Sequence, residues 1–354
     1  MQRITGIDIM QGIAMLLVVL GHHLFPFMPD WYRRMYYWIY TFHMPLFIFI
    51  SGFLVRYSYK GVKGVAEYRT YVGKRFRKFA IPYIIVGVVC ALLASLGKDV
   101  GRFVQSCAML LVAPRYSDAR YLWYIYMMVV FYCLAPLVFN TRGKGRWAWY
   151  AVALLMSPLA IPTKILSADY FVRFFVFFLS GAVVAENYAL IKRMDVRWSI
   201  VALVLFVAMS VRHFLYGYNA LLEYMLQWVG IPASLSVAWV IGKMPLMRDV
   251  LVGISKNCFV IYLLHMFVIQ GVAVLLRLSG MGLTAYTAIP YLLLSTALAI
   301  SIPMMILCLM RVKLPSLTLD PKGVRRTEGV DLADMGKSGS EDRLGVFYEG
   351  DGAV

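Results

Sequence analysis

The sequence predicts an all-α integral membrane protein of about ten transmembrane helices, with both termini on the cytoplasmic side and a short flexible cytoplasmic tail. Three observations predict it. Hydrophobic residues make up 61% of the 354 and charged residues only 15%, with a mean hydropathy of +0.72, a balance that no ordinary soluble domain has. About ten apolar windows are long enough to cross a hydrocarbon core of ~30 Å. Lysine and arginine concentrate in the short connections that lie on the same side of the membrane as the N-terminus, which orients that side toward the cytoplasm. The net charge of +17 is thus a topology signal for a bilayer partner, and it gives no reason to expect nucleic acid.

Taken in order, the first window, 7–27, follows the single Arg3 and runs into Leu24-Phe25-Pro26-Phe27-Met28. That run lacks a small-residue cleavage site, so the helix is expected to stay attached. The second, 36–55, carries His43 and Pro45. Between it and the third, 79–96, lies the basic stretch 56–78, where Arg56, Lys60, Lys63, Arg69, Lys74, Arg75, Arg77 and Lys78 face the single acid Glu67. Residues 103–113 are too short to span and are expected as an interfacial or re-entrant helix on the external side. Windows at 121–139, 147–163, 170–190, 199–216, 220–242, 254–276 and 286–310 complete the set. Pro158, Pro162 and Pro232 fall inside two of them, where groups on neighbouring helices can satisfy the freed backbone. Residues 1–313 therefore read as one transmembrane domain. From 314 to 354, glycines and mixed charge without apolar periodicity read as a disordered tail. No fixed-period repeat is visible.

Ionisable groups inside apolar windows are expensive and are site candidates by default. At about 100° per residue, Asp8, Gln11 and His22 fall within roughly 60° of one another on one helix face, with about 16 Å of rise from Gln11 to His22. His23 points about 100° away from that stripe. The plainer alternative is a pair of interfacial histidines ending an anchor helix. His43 is expected at a similar depth to His22, and two imidazoles in one cavity could share acid and base work. Equally, Pro45 could kink the helix and leave His43 bonded to a freed carbonyl. Arg75 and Lys78, three apart, share a face at the entry to the third helix and could clamp phosphate, although juxtamembrane cations are also ordinary topology signals. Arg173, Glu186, Glu223 and His265 also fall within membrane windows. Arg173 and Glu186 stand about 20 Å apart along one helix and cannot pair directly. The five cysteines form no CxxC pair, so neither a disulfide framework nor a zinc site is indicated, and no metal is expected. GxSxG, HExxH, Walker and GxGxxG arrangements are missing. Histidine and phosphate-binding chemistry remain.

Several segments together resemble the membrane acyltransferase type 3 family, including its fucose 4-O-acetylase-like branch. They are Asp8-Ile-Met-Gln-Gly-Ile-Ala with His22, Phe42-His-Met-Pro-Leu-Phe-Ile-Phe-Ile-Ser-Gly-Phe, and Arg75-Phe-Arg-Lys-Phe-Ala-Ile-Pro-Tyr. Tyr121-Leu-Trp-Tyr, Phe177-Phe-Leu-Ser-Gly-Ala and Gly253-Ile-Ser-Lys-Asn-Cys-Phe-Val-Ile-Tyr-Leu-Leu-His follow in order, so the resemblance runs over about residues 3 to 310. It implies a multi-pass enzyme of the inner (cytoplasmic) membrane that moves an acyl group, usually acetyl from acetyl-CoA, onto a hydroxyl of a surface glycan or related acceptor.

The resemblance also implies roles. It places the essential first-helix histidine at His22 and the donor-binding pair at Arg75 and Lys78. This chain departs from the pattern twice: Gln11 stands where the family has a basic residue, and Lys78 keeps the charge of its arginine but loses the planar fork. Joined to the residue reading, this gives His22 as general base, with His43 and Asp8 in the catalytic set. Arg75, Lys78, Arg77 and Gln11 fall on the acyl-CoA side, and His23, Trp123 and His265 against the acceptor. The rival readings are a transporter or flippase for a sugar or lipid-linked intermediate, in which the same groups relay protons or bind solute, and an assembly subunit. Oligomeric state is not legible.

Overall fold

The computed structural model describes residues 4–141, 144–159, 161–188, 196–280, 284 and 286–313. The expected tail 314–354 lies outside the described residues. Twelve α-helices occur among them: α1 (Thr5–Gly21), α2 (Asp30–Tyr57), α3 (Gly64–Ser95), α4 (Val100–Val112), α5 (Trp123–Phe139), α6 (Lys144–Met156), α7 (Ala168–Glu186), α8 (Val196–Tyr216), α9 (Ala220–Gly242), α10 (Pro245–Lys256), α11 (Cys258–Leu278) and α12 (Ala288–Lys313). Short 3-10 turns at Pro114–Tyr116, Arg120–Leu122 and Ile165–Ser167 join some of them, and no strand occurs among the described residues.

Among the described residues, eight helices are long and apolar enough to cross a membrane: α2, α3, α5, α7, α8, α9, α11 and α12. The protein is therefore an all-helical, multi-pass membrane protein. Two expected windows differ from the eight. The first forms α1, only 17 residues long, which reaches about 25 Å at 1.5 Å per residue. The window at 147–163 does not form one helix. It yields α6 of 13 residues, which ends before Ser157-Pro158, because the residue preceding proline is pushed away from helical geometry. The Ser157 hydroxyl then donates to the Arg173 carbonyl at 3.0 Å and docks this end on α7. The basic stretch is less of a loop than its composition suggests, since α3 begins at Gly64 and carries most of it as helix. The short helix expected near 103–113 is α4, which buries Ser106 and Leu110 and exposes Val104, Leu111 and Val112.

Helix α2 occupies the centre. Its apolar window is 83% buried inside the protein, against 17% for α8 and 22% for α12, which form the periphery. The closest crossing is between α2 and α7. A Cβ on Gly52 would run into the Phe178 carbonyl, and one on Gly181 into the Phe49 carbonyl and the Phe53 nitrogen at 2.8 Å. Only glycine at both positions lets the two backbones meet, the usual means of packing helices in lipid where apolar side chains gain little from contact. Beside each glycine a serine ties its helix to a neighbour. Ser51 Oγ lies 2.6 Å from the Tyr124 hydroxyl of α5, and Ser180 Oγ donates to the Tyr150 hydroxyl of α6 at 3.3 Å. At the Arg56 end of this pair, Glu186 accepts from Arg56 Nε at 2.6 Å and from Arg146 Nη1 at 2.5 Å. The carboxylate thus finds two partners on other helices, and Arg173, too far along its own helix, lies over the Phe174 ring.

The Gly52–Gly181 crossing makes a stability prediction. Gly181→Leu should destabilise the protein in detergent by about 2 kcal/mol or more, from backbone overpacking. Ser180→Ala, which removes one interhelical hydrogen bond, should cost under ~1 kcal/mol. Thermal unfolding of both variants, read in parallel, checks the order.

Candidate functional site

Helix α1 stops at Gly21, and His22 leaves helical geometry with φ −98° and ψ 8°. Ending a helix inside a bundle exposes its last carbonyls, which must find donors. Three side chains supply them. His22 Nδ1 bonds the Val18 carbonyl at 2.6 Å, His23 Nδ1 bonds the Val19 carbonyl at 2.8 Å, and the fully buried Tyr32 hydroxyl donates to the Leu20 carbonyl. Because a carbonyl can only accept, His22 carries its proton on Nδ1 when neutral. Its Nε2 is left as a lone pair with no hydrogen-bond partner among the described residues.

His22 lines a cavity of about 860 Å³. The wall is built from the end of α1, the start of α2 with Tyr36 and Tyr40, the end of α3 with Cys90, the segment from Arg115 to Trp123, Tyr170 of α7, and Met266, Phe267 and Gln270 of α11. Two ion pairs brace the segment between α4 and α5. Arg115 pairs with Asp169 while its guanidinium lies 3.6 Å from the centre of the Tyr170 ring. Asp118 accepts from Arg102 at 2.8 Å and from Ser106 at 2.5 Å. Burial pushes the Asp118 carboxyl up, but those two donors outweigh it and hold the group below the usual carboxylate range. Asp118 is therefore ionised at neutral pH. Trp123 packs edge-on to Tyr170 at 4.5 Å and stacks on Phe174 at 5.7 Å.

Of the candidates, the structure brings His22 and Trp123 to the cavity. His265 stands directly behind His22, its ring centre 4.8 Å away at 73°, yet it is fully buried and is not part of the cavity wall. His43 lies close enough to His22 to interact electrostatically. It is buried, bonded through Nδ1 to the Ile39 carbonyl at 2.6 Å, and packed on Tyr40, which does line the cavity. His23 turns away: its Nε2 lies 2.6 Å from Ser295 Oγ of α12, and its ring packs on Tyr291. With both nitrogens engaged and no exposed surface, His23 joins α1 to α12 and does not line the cavity.

Asp8 and Gln11 do not join the His22 cluster either. Fourteen residues of helix put Asp8 about 21 Å from His22. There Ser255 of α10 bonds Gln11 Oε1 at 2.8 Å and Asp8 Oδ1 at 3.3 Å. The basic trio divides. Arg75 points inward, its guanidinium 5.0 Å from the Tyr71 ring centre and 5.4 Å from that of Tyr132, with Nε buried and unpartnered. Arg77 and Lys78 are exposed. Among the described residues no group of three His, Cys, Asp or Glu side chains could hold a metal ion.

Sequence reasoning did not single out Tyr36, Tyr40, Tyr170, Gln270 or the ion-paired Arg115 and Asp118 as site residues. Tyr121 stood only inside a matched block. Its hydroxyl donates to the Leu263 carbonyl at 3.0 Å, and its own carbonyl accepts from the Tyr262 hydroxyl. The one available signal was the density of charge between two apolar windows at Arg115, Asp118 and Arg120.

The family model described as an acyltransferase domain, that of the acyltransferase 3 family, matches residues 4–308. No curated protein and no solved structure matches the chain. With a match over most of its length and an all-helical multi-pass fold around a histidine-lined cavity, the chain belongs to the acyltransferase 3 family of membrane acyltransferases.

Proposed function

We propose that the protein is an O-acyltransferase of the fucose 4-O-acetylase-like branch, moving an acetyl or short acyl group from cytoplasmic acyl-CoA to a hydroxyl of a surface glycan or related acceptor. His22 serves as general base. Both termini face the cytoplasm and about ten segments cross the inner membrane, with α1 and the α6 region as the two crossings beyond the eight long helices.

The single observation that carries this reading is the His22 side chain. It combines a locked Nδ1–H, an unpartnered Nε2 and a place in the wall of a large cavity. A base in that state takes the hydroxyl proton of the acceptor as its oxygen attacks the thioester carbonyl. The new oxygen–carbon bond forms and the carbon–sulfur bond breaks. The thiolate then leaves with the proton held on Nε2, which returns the ring to its starting state. The cavity suits an acceptor rich in hydroxyls: it mixes tyrosine hydroxyls, Gln270 and two arginines with the aromatic faces of Trp123 and Tyr170. Its volume lies in the range of ligand pockets that enclose most of a bound molecule.

On the donor side, Arg75 is the residue best placed to meet phosphate. Two tyrosine rings hold its guanidinium in a fixed orientation, which lowers the entropy cost of a bidentate grip. Lys78, one turn further along α3, adds a second charge.

Two measurements test the reading. In membranes carrying matched amounts of protein, His22→Ala should lower transfer of labelled acetyl from acetyl-CoA by 10² to 10⁴-fold, the usual worth of a positioned base. Normal transfer would remove His22 from the reaction. Arg75→Ala should raise the apparent KM for acetyl-CoA by about tenfold or more, the cost of one or two charge-assisted hydrogen bonds. An unchanged KM would take Arg75 out of the donor site.

A further inference from the structure

Buried polar atoms in native proteins almost always have a partner, and each exception calls for an explanation. His265 is one. The residue is fully buried and its Nε2 makes no hydrogen bond among the described residues. Its Nδ1 lies 2.8 Å from the Tyr262 carbonyl and 3.1 Å from the Ile261 carbonyl. The ring proton therefore sits on Nδ1, and Nε2 is a bare lone pair in the interior. Nothing about α11 requires an imidazole here, because an apolar side chain would fill the same space without stranding a nitrogen.

The surroundings supply the reason. The rings of His22, His265 and Tyr121 meet edge to face around one point. The separations are 4.8 Å for His22–His265, 5.5 Å for Tyr121–His265 and 6.5 Å for His22–Tyr121. Two of the three members are fastened to α11. His265 belongs to that helix, and Tyr121 is bonded to it twice, through its hydroxyl to Leu263 and through its carbonyl to Tyr262. His22 is the least fixed of the three, lying past the end of α1 with one hydrogen bond of its own ring. Beyond that bond, the rings of His265 and Tyr121 pack against it.

Resting on the reading of His22 as base, we infer that His265 is a positioning residue for His22. It fixes the plane of the His22 ring and places a neutral imidazole against it, where the His22 imidazolium forms during transfer. A cation within about 6 Å of an aromatic ring centre gains from the ring. No proton passes to His265, and it touches neither thioester nor acceptor. The role differs from acceptor binding, which a residue sealed off from the cavity cannot perform.

The test uses the full-length protein in native membranes, with labelled acetyl-CoA as the probe and the endogenous acceptor. His265→Leu should lower kcat about ten- to thirtyfold and leave the KM for acetyl-CoA and the unfolding temperature in detergent near wild type. His265→Phe, which keeps a ring but loses the lone pair, should recover part of that loss, and it carries the test if the leucine variant does not accumulate. A merely structural role would move both variants together with the unfolding temperature, which overturns the inference. In the His22→Ala background, His265→Leu should change the residual rate by less than twofold, because it acts through His22. An independent, additive loss there overturns the inference, as does full activity of both single variants beside an inactive His22→Ala. Full activity of His22→Ala would instead bring down the assignment of the base itself.

Discussion

A polar ring buried among lipid-embedded helices must satisfy its N–H from within, and this constraint organises the centre of the protein. His22, His23, His43 and His265 all answer it the same way, each placing Nδ1 against a backbone carbonyl about one helical turn earlier. The solution does more than remove an unpaired donor. It selects one tautomer and aims Nε2 outward from the helix that carries it. What then separates His22, His23 and His265 is the other face of the ring. Ser295 meets Nε2 at His23, His22 lines the cavity, and at His265 Nε2 has no partner among the described residues. Identical local chemistry yields a tie between helices, a ring in the cavity wall and a ring sealed behind it.

The scaffold around these rings is held by close backbone approach rather than by bulk. The Gly52–Gly181 crossing brings α2 and α7 into direct contact, and hydroxyls of Ser51 and Ser180 reach sideways to tyrosines on α5 and α6. Lipid offers apolar side chains an environment as good as the protein interior, so small residues and interhelical hydrogen bonds carry much of the specificity. The two Ser-Gly pairs fall in blocks of similar wording, Phe-Ile-Ser-Gly-Phe and Phe-Leu-Ser-Gly-Ala, and the fold sets them against each other.

The long helices were legible because crossing ~30 Å of hydrocarbon demands about 20 apolar residues whatever the rest of the fold does. His22 was legible for a related reason: an imidazole at the end of such a run is costly and conspicuous. The stripe of Asp8, Gln11 and His22 holds as a helix face, but its two ends do not share one pocket. One face of a 17-residue helix meets different neighbours at its two ends, α10 near Asp8 and the cavity near His22. Periodicity gives direction around an axis and says little about partners at each depth. The break of the α6 window at Ser157-Pro158 is not registered by hydropathy. The braced segment from Arg115 to Trp123 was hidden for another reason, since its order comes from ion pairs to distant residues such as Asp169 and Arg102.

The early end of α1 has an electrical consequence. Peptide dipoles aligned along a helix leave a partial negative charge at its C-terminus, and the effect is strongest within the last turn and away from salt and water. Here the last carbonyls are those of Val18, Val19 and Leu20, and the first of them accepts from the His22 ring itself. A positive charge on that ring would meet a field already in place. Had α1 continued for another turn, the same imidazole would have sat against a uniform helix wall. Truncation of the helix thus supplies an anionic counterpart without an acidic side chain.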